Sequence, residues 1–260
     1  MRDYIDRIAL KGRVIIALFI RELMARFGHS NVGFLWQVLE PLVLALGVMA
    51  SWSLIYGERN HGVRVIPLVL TGYTFLTLWR HMTGRLSNTF RQASGLLFHR
   101  AVKPIDLLIA RGLLESIGVL MAFFAAYIPL VLLSLIEPVS DYLVLLGAWT
   151  LMCFLTFGVA LIITGITHLS EAIERFVQPV MYLILPLTGV FYMVYWLPPA
   201  AREVVLMSPL VQACEMYRAG MFGDALPTFW DPWYILLWGI GLNALGWVLV
   251  LKAQKHIEME

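Results

Sequence analysis

Residues 105–136 read IDLLIARGLLESIGVLMAFFAAYIPLVLLSLI, and beyond Glu115 the stretch carries no charge. At 1.5 Å per residue, about 20 such residues cross a hydrocarbon core of about 30 Å. The charges Asp106, Arg111 and Glu115 are confined to its beginning, with Arg111 and Glu115 four residues apart so that they can meet on one helix face. Pro129 falls near its end, where a kink disturbs few backbone bonds. This is a membrane span, and the neighbouring segments are read outward from it.

The whole chain supports that choice of solvent. Of 260 residues, 60% are hydrophobic and only 14% charged, with 9 Trp, which excludes a secreted disulfide scaffold and a disordered chain. The net charge of +2 is too small to argue for nucleic acid. Cys153 and Cys214 form no CxxC and read as small buried hydrophobes.

Before this span, residues 86–103 (LSNTFRQASGLLFHRAVK) are too polar to cross and are expected to form a short amphipathic helix outside the bilayer, ended by Pro104. Further back, 65–85 make one span and 34–57 another, joined by the polar turn GERNHGVR. Residues 1–33 hold six basic residues around the apolar run Val14 to Ile20, and no small-residue cleavage site follows, so the segment is expected to be retained. Ile8, Ile15, Phe19, Leu23 and Phe27 recur at helical spacing, as in an amphipathic helix in the headgroup layer.

After the span, a turn at 137–141 leads to a fourth crossing, 142–167, and a polar loop, HLSEAIER. The fifth crossing is expected over 176–196, kinked by Pro179 and Pro186. Residues 197–231, broken by four prolines, suit two half-helices that dip into the outer leaflet and return, and 233–251 is the sixth crossing. Fifteen basic residues lie on the side of the termini against four on the other, which puts both termini in the cytoplasm. The expected architecture is an all-α membrane protein: a cytoplasmic segment 1–33, a six-span domain 34–251 and a cytoplasmic tail 252–260.

Known catalytic signatures are missing. GxxxxGK[ST], HExxH, GxSxG and CxxC do not occur, and the six histidines are scattered, so neither nucleotide binding by a P-loop nor a metal centre is expected. Carboxylates inside the spans reduce to Glu40 and Glu115, which offers no convincing acid/base pair for a polymer-synthesising enzyme.

A positive signal comes from Arg21-Glu22-Leu23-Met24-Ala25-Arg26-Phe27-Gly28, Gly33-Phe34-Leu35-Trp36 and Leu39-Glu40-Pro41. With Gly95-Leu96-Leu97, Val102-Lys103-Pro104-Ile105-Asp106, Ile109-Ala110-Arg111, Leu114-Glu115 and Ser208-Pro209-Leu210-Val211, they resemble the capsular polysaccharide export permeases of Gram-negative bacteria. These are the membrane subunits of type-2 ABC exporters, and the resemblance runs from about Leu18 to Leu251. The chain departs at Ala93-Ser94, where such permeases tend to carry Asn-Gln, and at Ser208, where they tend to carry Asn.

The resemblance implies a homodimer in the bacterial inner membrane, driven by two copies of a separate cytoplasmic ATP-binding subunit. ATP and magnesium would sit on that ATPase, and no cofactor is expected on this chain. It also implies a lipid-linked acidic polysaccharide as substrate, handed to periplasmic and outer-membrane export proteins. Arg13, Arg21, Glu22 and Arg26 would belong to a gate helix. There a guanidinium can hold a lipid-linked phosphate, although for any one arginine ordinary attraction to anionic headgroups is the better single explanation.

Trp36, Glu40 and Pro41 would shape the cytoplasmic mouth, and Arg91, Arg100, Lys103, Pro104 and Asp106 a coupling helix seated on the ATPase. Pro104 and Asp106 also suit the first turn of a span on their own account. Tyr73, Phe75 and Trp149 are candidate channel aromatics, with helix packing as the other reading. Pro209, Glu215 and Arg218 would belong to the outer re-entrant segment. A sibling exporter of O-antigen, teichoic acid or another lipid-linked polymer is the alternative reading.

Overall fold

The computed structural model describes residues 2–27, 31–56, 59–60, 62–92, 103–169 and 171–257. The helices in chain order are α1 (Arg2–Phe27), α2 (Asn31–Tyr56), α3 (Val65–Ser87), α4 (Thr89–Gln92), α5 (Pro104–Leu132), α6 (Tyr142–Leu169), α7 (Glu171–Ile184), α8 (Pro199–Leu206), α9 (Pro209–Phe222) and α10 (Pro232–Ile257). Between α2 and α3 the chain forms a minimal antiparallel hairpin, β1 (Arg59–Asn60) with β2 (Val63–Arg64), turning at Gly62 with φ +84°. The protein is an all-α membrane protein apart from that hairpin. Among the described residues, three helices are long and apolar enough to cross: Pro104–Leu132, Tyr142–His168 and Pro232–Lys255.

Local chemistry sets the ends of these helices. Pro104 occupies the first turn of α5 with Asp106 beside it, a proline and a carboxylate where backbone N–H groups would otherwise be orphaned. Asp141 accepts from the N–H of Leu143 and Val144 at 2.8 and 3.0 Å to start α6, and Asp231 accepts from Trp233 at 2.9 Å to start α10. The expected fifth crossing differs: α7 stops at Ile184, well short of Trp196. A 3-10 turn containing Pro186 follows, and Gly189 then takes the left-handed conformation, φ +76°, which reverses the chain.

Helix α6 is the hub, packing along α10, α9 and α3, while α5 packs on α1, α2 and α3. Buried threonine hydroxyls in this apolar interior are satisfied by their own helices. Thr71, Thr74, Thr77 and Thr83 of α3 and Thr156 and Thr164 of α6 each donate back to the carbonyl four residues earlier at 2.7–2.9 Å.

The α6–α10 seam is built from small residues, as expected where hydrocarbon supplies no hydrophobic drive and only close contact holds helices together. A Cβ at Gly246 would stand 2.5 Å from Leu161 Cβ, and one at Gly165 would stand 2.6 Å from Leu249 Cβ. Asn243 then bridges the seam, its Nδ2 donating to Phe154 O at 2.8 Å. The opposite face of α10 is open, so that only 22% of its apolar window is buried. Gly246→Leu is therefore expected to cost about 1–3 kcal/mol by overpacking. The melting midpoint of the detergent-solubilised protein should fall, whereas Gly241→Ala, which meets nothing within 4 Å, should leave it unchanged.

Candidate functional site

Charges inside an apolar bundle must be matched, and their pairing maps the working parts of this one. At the end where α3 finishes and α5 begins, Glu115 is 1% exposed. Arg85 of α3 donates from one nitrogen to both its oxygens at 2.9 and 3.2 Å, and His81 Nδ1 lies 3.2 Å from the same carboxylate. One turn earlier on α5, Arg111 Nε donates to Glu22 of α1 at 2.8 Å and Arg111 Nη1 to Thr89 Oγ1 of α4 at 3.1 Å. Arg111 and Glu115, expected as a local pair, thus each also reach another helix.

Arg111 is a joint between three elements. Around it α1 lays Val14, Ile15, Leu18 and Phe19 on Leu107 and Ala110 of α5. The other face of α1 exposes Leu10, Ile16, Ile20 and Met24 together with Arg13 and Arg21. Helix α1 is thus docked on protein by one stripe, with the other stripe turned outward. Phe90 of α4 meets His168 at the end of α6, ring centroids 5.2 Å apart, so α4 also touches the hub helix.

About 20 Å along α3, at 1.5 Å per residue, a second charged clasp closes the other end. Arg218 of α9 is 0% exposed. Its guanidinium donates to the carbonyls of Gly189 and Val190 at 2.8 Å each and to that of Tyr192, gathering the whole turn that follows α7. Glu215, one turn away with Oε1 3.7 Å from Arg218, accepts from the N–H of Val194 at 3.3 Å and of Phe229 at 3.4 Å. The pair ties the segment before α8 to the segment before α10. Gly72 of α3 lets this turn come close, since a Cβ there would stand 2.6 Å from Val190 O.

The residues singled out in the sequence distribute as follows. Arg13 and Arg21 are exposed on α1, and Glu22 faces α5. The side chains of Arg26, Trp36, Glu40, Pro41 and Arg91 lie outside the described residues, as does the whole of Arg100 with residues 93–102. Lys103 caps α5 from an exposed position, with Pro104 and Asp106 buried behind it. Phe75, 0% exposed, and Trp149, packed 6.1 Å from Tyr217, are core residues. Tyr73 is half-buried and lines a shallow groove with Trp52 and Phe191. Pro209 opens α9, and its neighbours Glu215 and Arg218 are internal fasteners with no surface to offer.

The fork of Arg218 makes a sharp prediction. Arg218→Ala would strand three carbonyls and a buried carboxylate, a loss of about 3–5 kcal/mol. Arg218→Lys should fail to rescue, because a point ammonium cannot span the three acceptors as a planar fork does. Heating of detergent-solubilised fluorescent fusions, followed by size exclusion, reads this directly, and a wild-type midpoint for the lysine variant would show that charge alone suffices.

No protein-family model matches the chain. It is 34% identical over 253 residues to the capsule polysaccharide export inner-membrane protein CtrC of Neisseria meningitidis serogroup B, covering 97% of this chain and 96% of that one. It is 32% identical over 251 residues to the corresponding protein BexB of Haemophilus influenzae, covering 96% and 95%. The polysialic acid transport protein KpsM of Escherichia coli is 26% identical over 234 residues, 88% and 85% of the two chains. With a common length, an apolar helical bundle and near-complete coverage at a third identity, the chain belongs to the family of capsule polysaccharide export inner-membrane proteins.

Proposed function

We propose that this chain is the transmembrane permease subunit of an ATP-driven ABC transporter that exports lipid-linked capsular polysaccharide across the bacterial inner membrane. What carries the reading is the end-to-end similarity to capsule export inner-membrane proteins. Two copies form the pathway, and two copies of a cytoplasmic ATP-binding subunit supply the energy, with ATP and magnesium held there. The substrate is acidic, a reading supported by the similarity to a polysialic acid transporter. Periplasmic and outer-membrane export proteins receive the polymer.

In this arrangement α2, α3, α5, α6, α7 with the turn after it, and α10 are six spans, and both termini are cytoplasmic, in keeping with the excess of basic residues on that side. The α8–α9 pair is a re-entrant hairpin in the outer leaflet. From α9, Arg218 and Glu215 hold the backbone of the 189–194 turn that leads into this hairpin, which satisfies polar groups that a broken helix frees in the membrane.

Movement enters through the segment from about Arg91 to Lys103, which serves as the coupling segment on the ATPase and of which residues 93–102 lie outside the described residues. Thr89 just before it and Arg111 just after it are hydrogen-bonded, and Arg111 holds Glu22 of the gate helix. A rigid push on that segment therefore displaces α1 and the foot of α5 together. Side chains do the mechanical work here, and bond chemistry belongs to the partner.

Two experiments test this. Deleting the gene in an encapsulated host should leave polymer trapped in the cytoplasm, seen by thin-section electron microscopy and fractionation, and an unaltered surface capsule would sink the assignment. For the joint, Glu22→Arg or Arg111→Glu alone should lower surface polymer about tenfold, the factor matching about 1.4 kcal/mol. The double reversal should recover export, and a double variant no better than either single one would remove the joint from the mechanism.

A further inference from the structure

Helices α3 and α7 enclose a groove of about 250 Å³, walled by Arg80, His81 and Arg85 on one side and by Met181 and Tyr182 on the other. Its charges do not cancel. Arg85 is matched by Glu115 at 2.9 Å, and the same carboxylate lies 3.2 Å from His81. Arg80 is exposed and makes no hydrogen bond or ion pair among the described residues. Among the described residues the groove therefore carries a surplus cation.

Arg80 stands seven residues before the end of α3 at Ser87, about 10 Å into the helix at 1.5 Å per residue. A guanidinium that deep in a span faces water or a polar ligand, because facing hydrocarbon is costly. Across the groove Tyr182 is 60% exposed, an aromatic face ending in a hydroxyl. An aromatic face opposite an arginine suits an acidic sugar: its C–H face can lie on the ring while its anionic oxygens meet the planar fork. The volume lies below the roughly 300–1,000 Å³ of sites that enclose a drug-sized ligand, so it takes one charged group at a time.

We propose that this groove is a binding station for anionic oxygens of the glycan in transit, either the carboxylate of an acidic sugar or the phosphate of its lipid-borne end, with Arg80 as the ligand-binding cation. The station rests on the export reading and on α3 being a span. It is distinct from the exposed arginines of α1, which meet a substrate or headgroup before entry.

The test uses the full-length chain in nanodiscs of neutral phosphatidylcholine, titrated separately with oligosialic acid and with dodecyl phosphate. At least one probe should bind the wild type, and Arg80→Gln should weaken that binding about tenfold. Tyr182→Ala, on the opposite wall, should weaken it as well, while both variants keep the wild-type melting midpoint. Loss confined to oligosialic acid assigns the station to sugar carboxylates, loss confined to dodecyl phosphate to the lipid-borne phosphate, and loss of both to any anionic oxygen. Wild-type affinity of Arg80→Gln for both probes, or no binding of either probe to the wild type, overturns the proposal. This measurement does not depend on where a deletion strain leaves its capsule, so failure of the station and failure of the export reading are separately visible.

Discussion

An arginine without exposed surface, placed in the middle of a short apolar helix, is tolerable only if its donors are used. Arg218 meets that constraint by closing on the carbonyls of Gly189, Val190 and Tyr192. The chain between α7 and α10 has little regular structure of its own, so it depends on this clasp and on Glu215, which accepts the N–H groups of Val194 and Phe229. Hydrocarbon offers backbone groups no alternative partner. Without the clasp the 189–194 turn would lose its anchor on α9, and α3 would lose the surface against which Gly72 packs.

The same rule operates at the other end with a different result. There the charges are spread over three helices, Glu22 on α1, Arg85 on α3, Arg111 and Glu115 on α5, and Thr89 of α4 joins them as a neutral acceptor. A pair inside one element rigidifies that element. Pairs between elements make them move together, and this end borders the segment that meets the energy source in the proposed transporter. Helices α6 and α10 are joined by close glycine contact and Asn243, a seam with no ion pair among the described residues. The structure thus has a stapled end, a neutral middle and a jointed end.

Much of this was legible in the residues. The long charge-free run after Glu115 and the Pro104-Asp106 start point to a helical membrane protein, and the periodicity of residues 8–27 points to a two-faced N-terminal helix; α5 and α1 have those characters. Hydropathy continues through Phe191 to Trp196 and extends the expected fifth crossing that far, whereas Pro186 and Gly189 end helix α7 by geometry that hydropathy ignores. Phe75 and Trp149 were eligible for a channel by residue type alone. Which face of a helix turns inward depends on its neighbours, and both rings point into the core.

By itself the sequence determined the solvent, the helical class, the places where charge is allowed and, through its charged and proline positions, the family resemblance. These are properties of composition, period and short-range chemistry. Only the tertiary structure decided the partners: that Glu22 reaches Arg111 across 89 positions, that Glu115 is shared by Arg85 and His81, and that Arg80 is left over among the described residues. Each of those pairings joins residues from separate helices. A linear pattern records that a charge exists, while the crossing of helices in space settles which opposite charge stands within 3 Å or so of it.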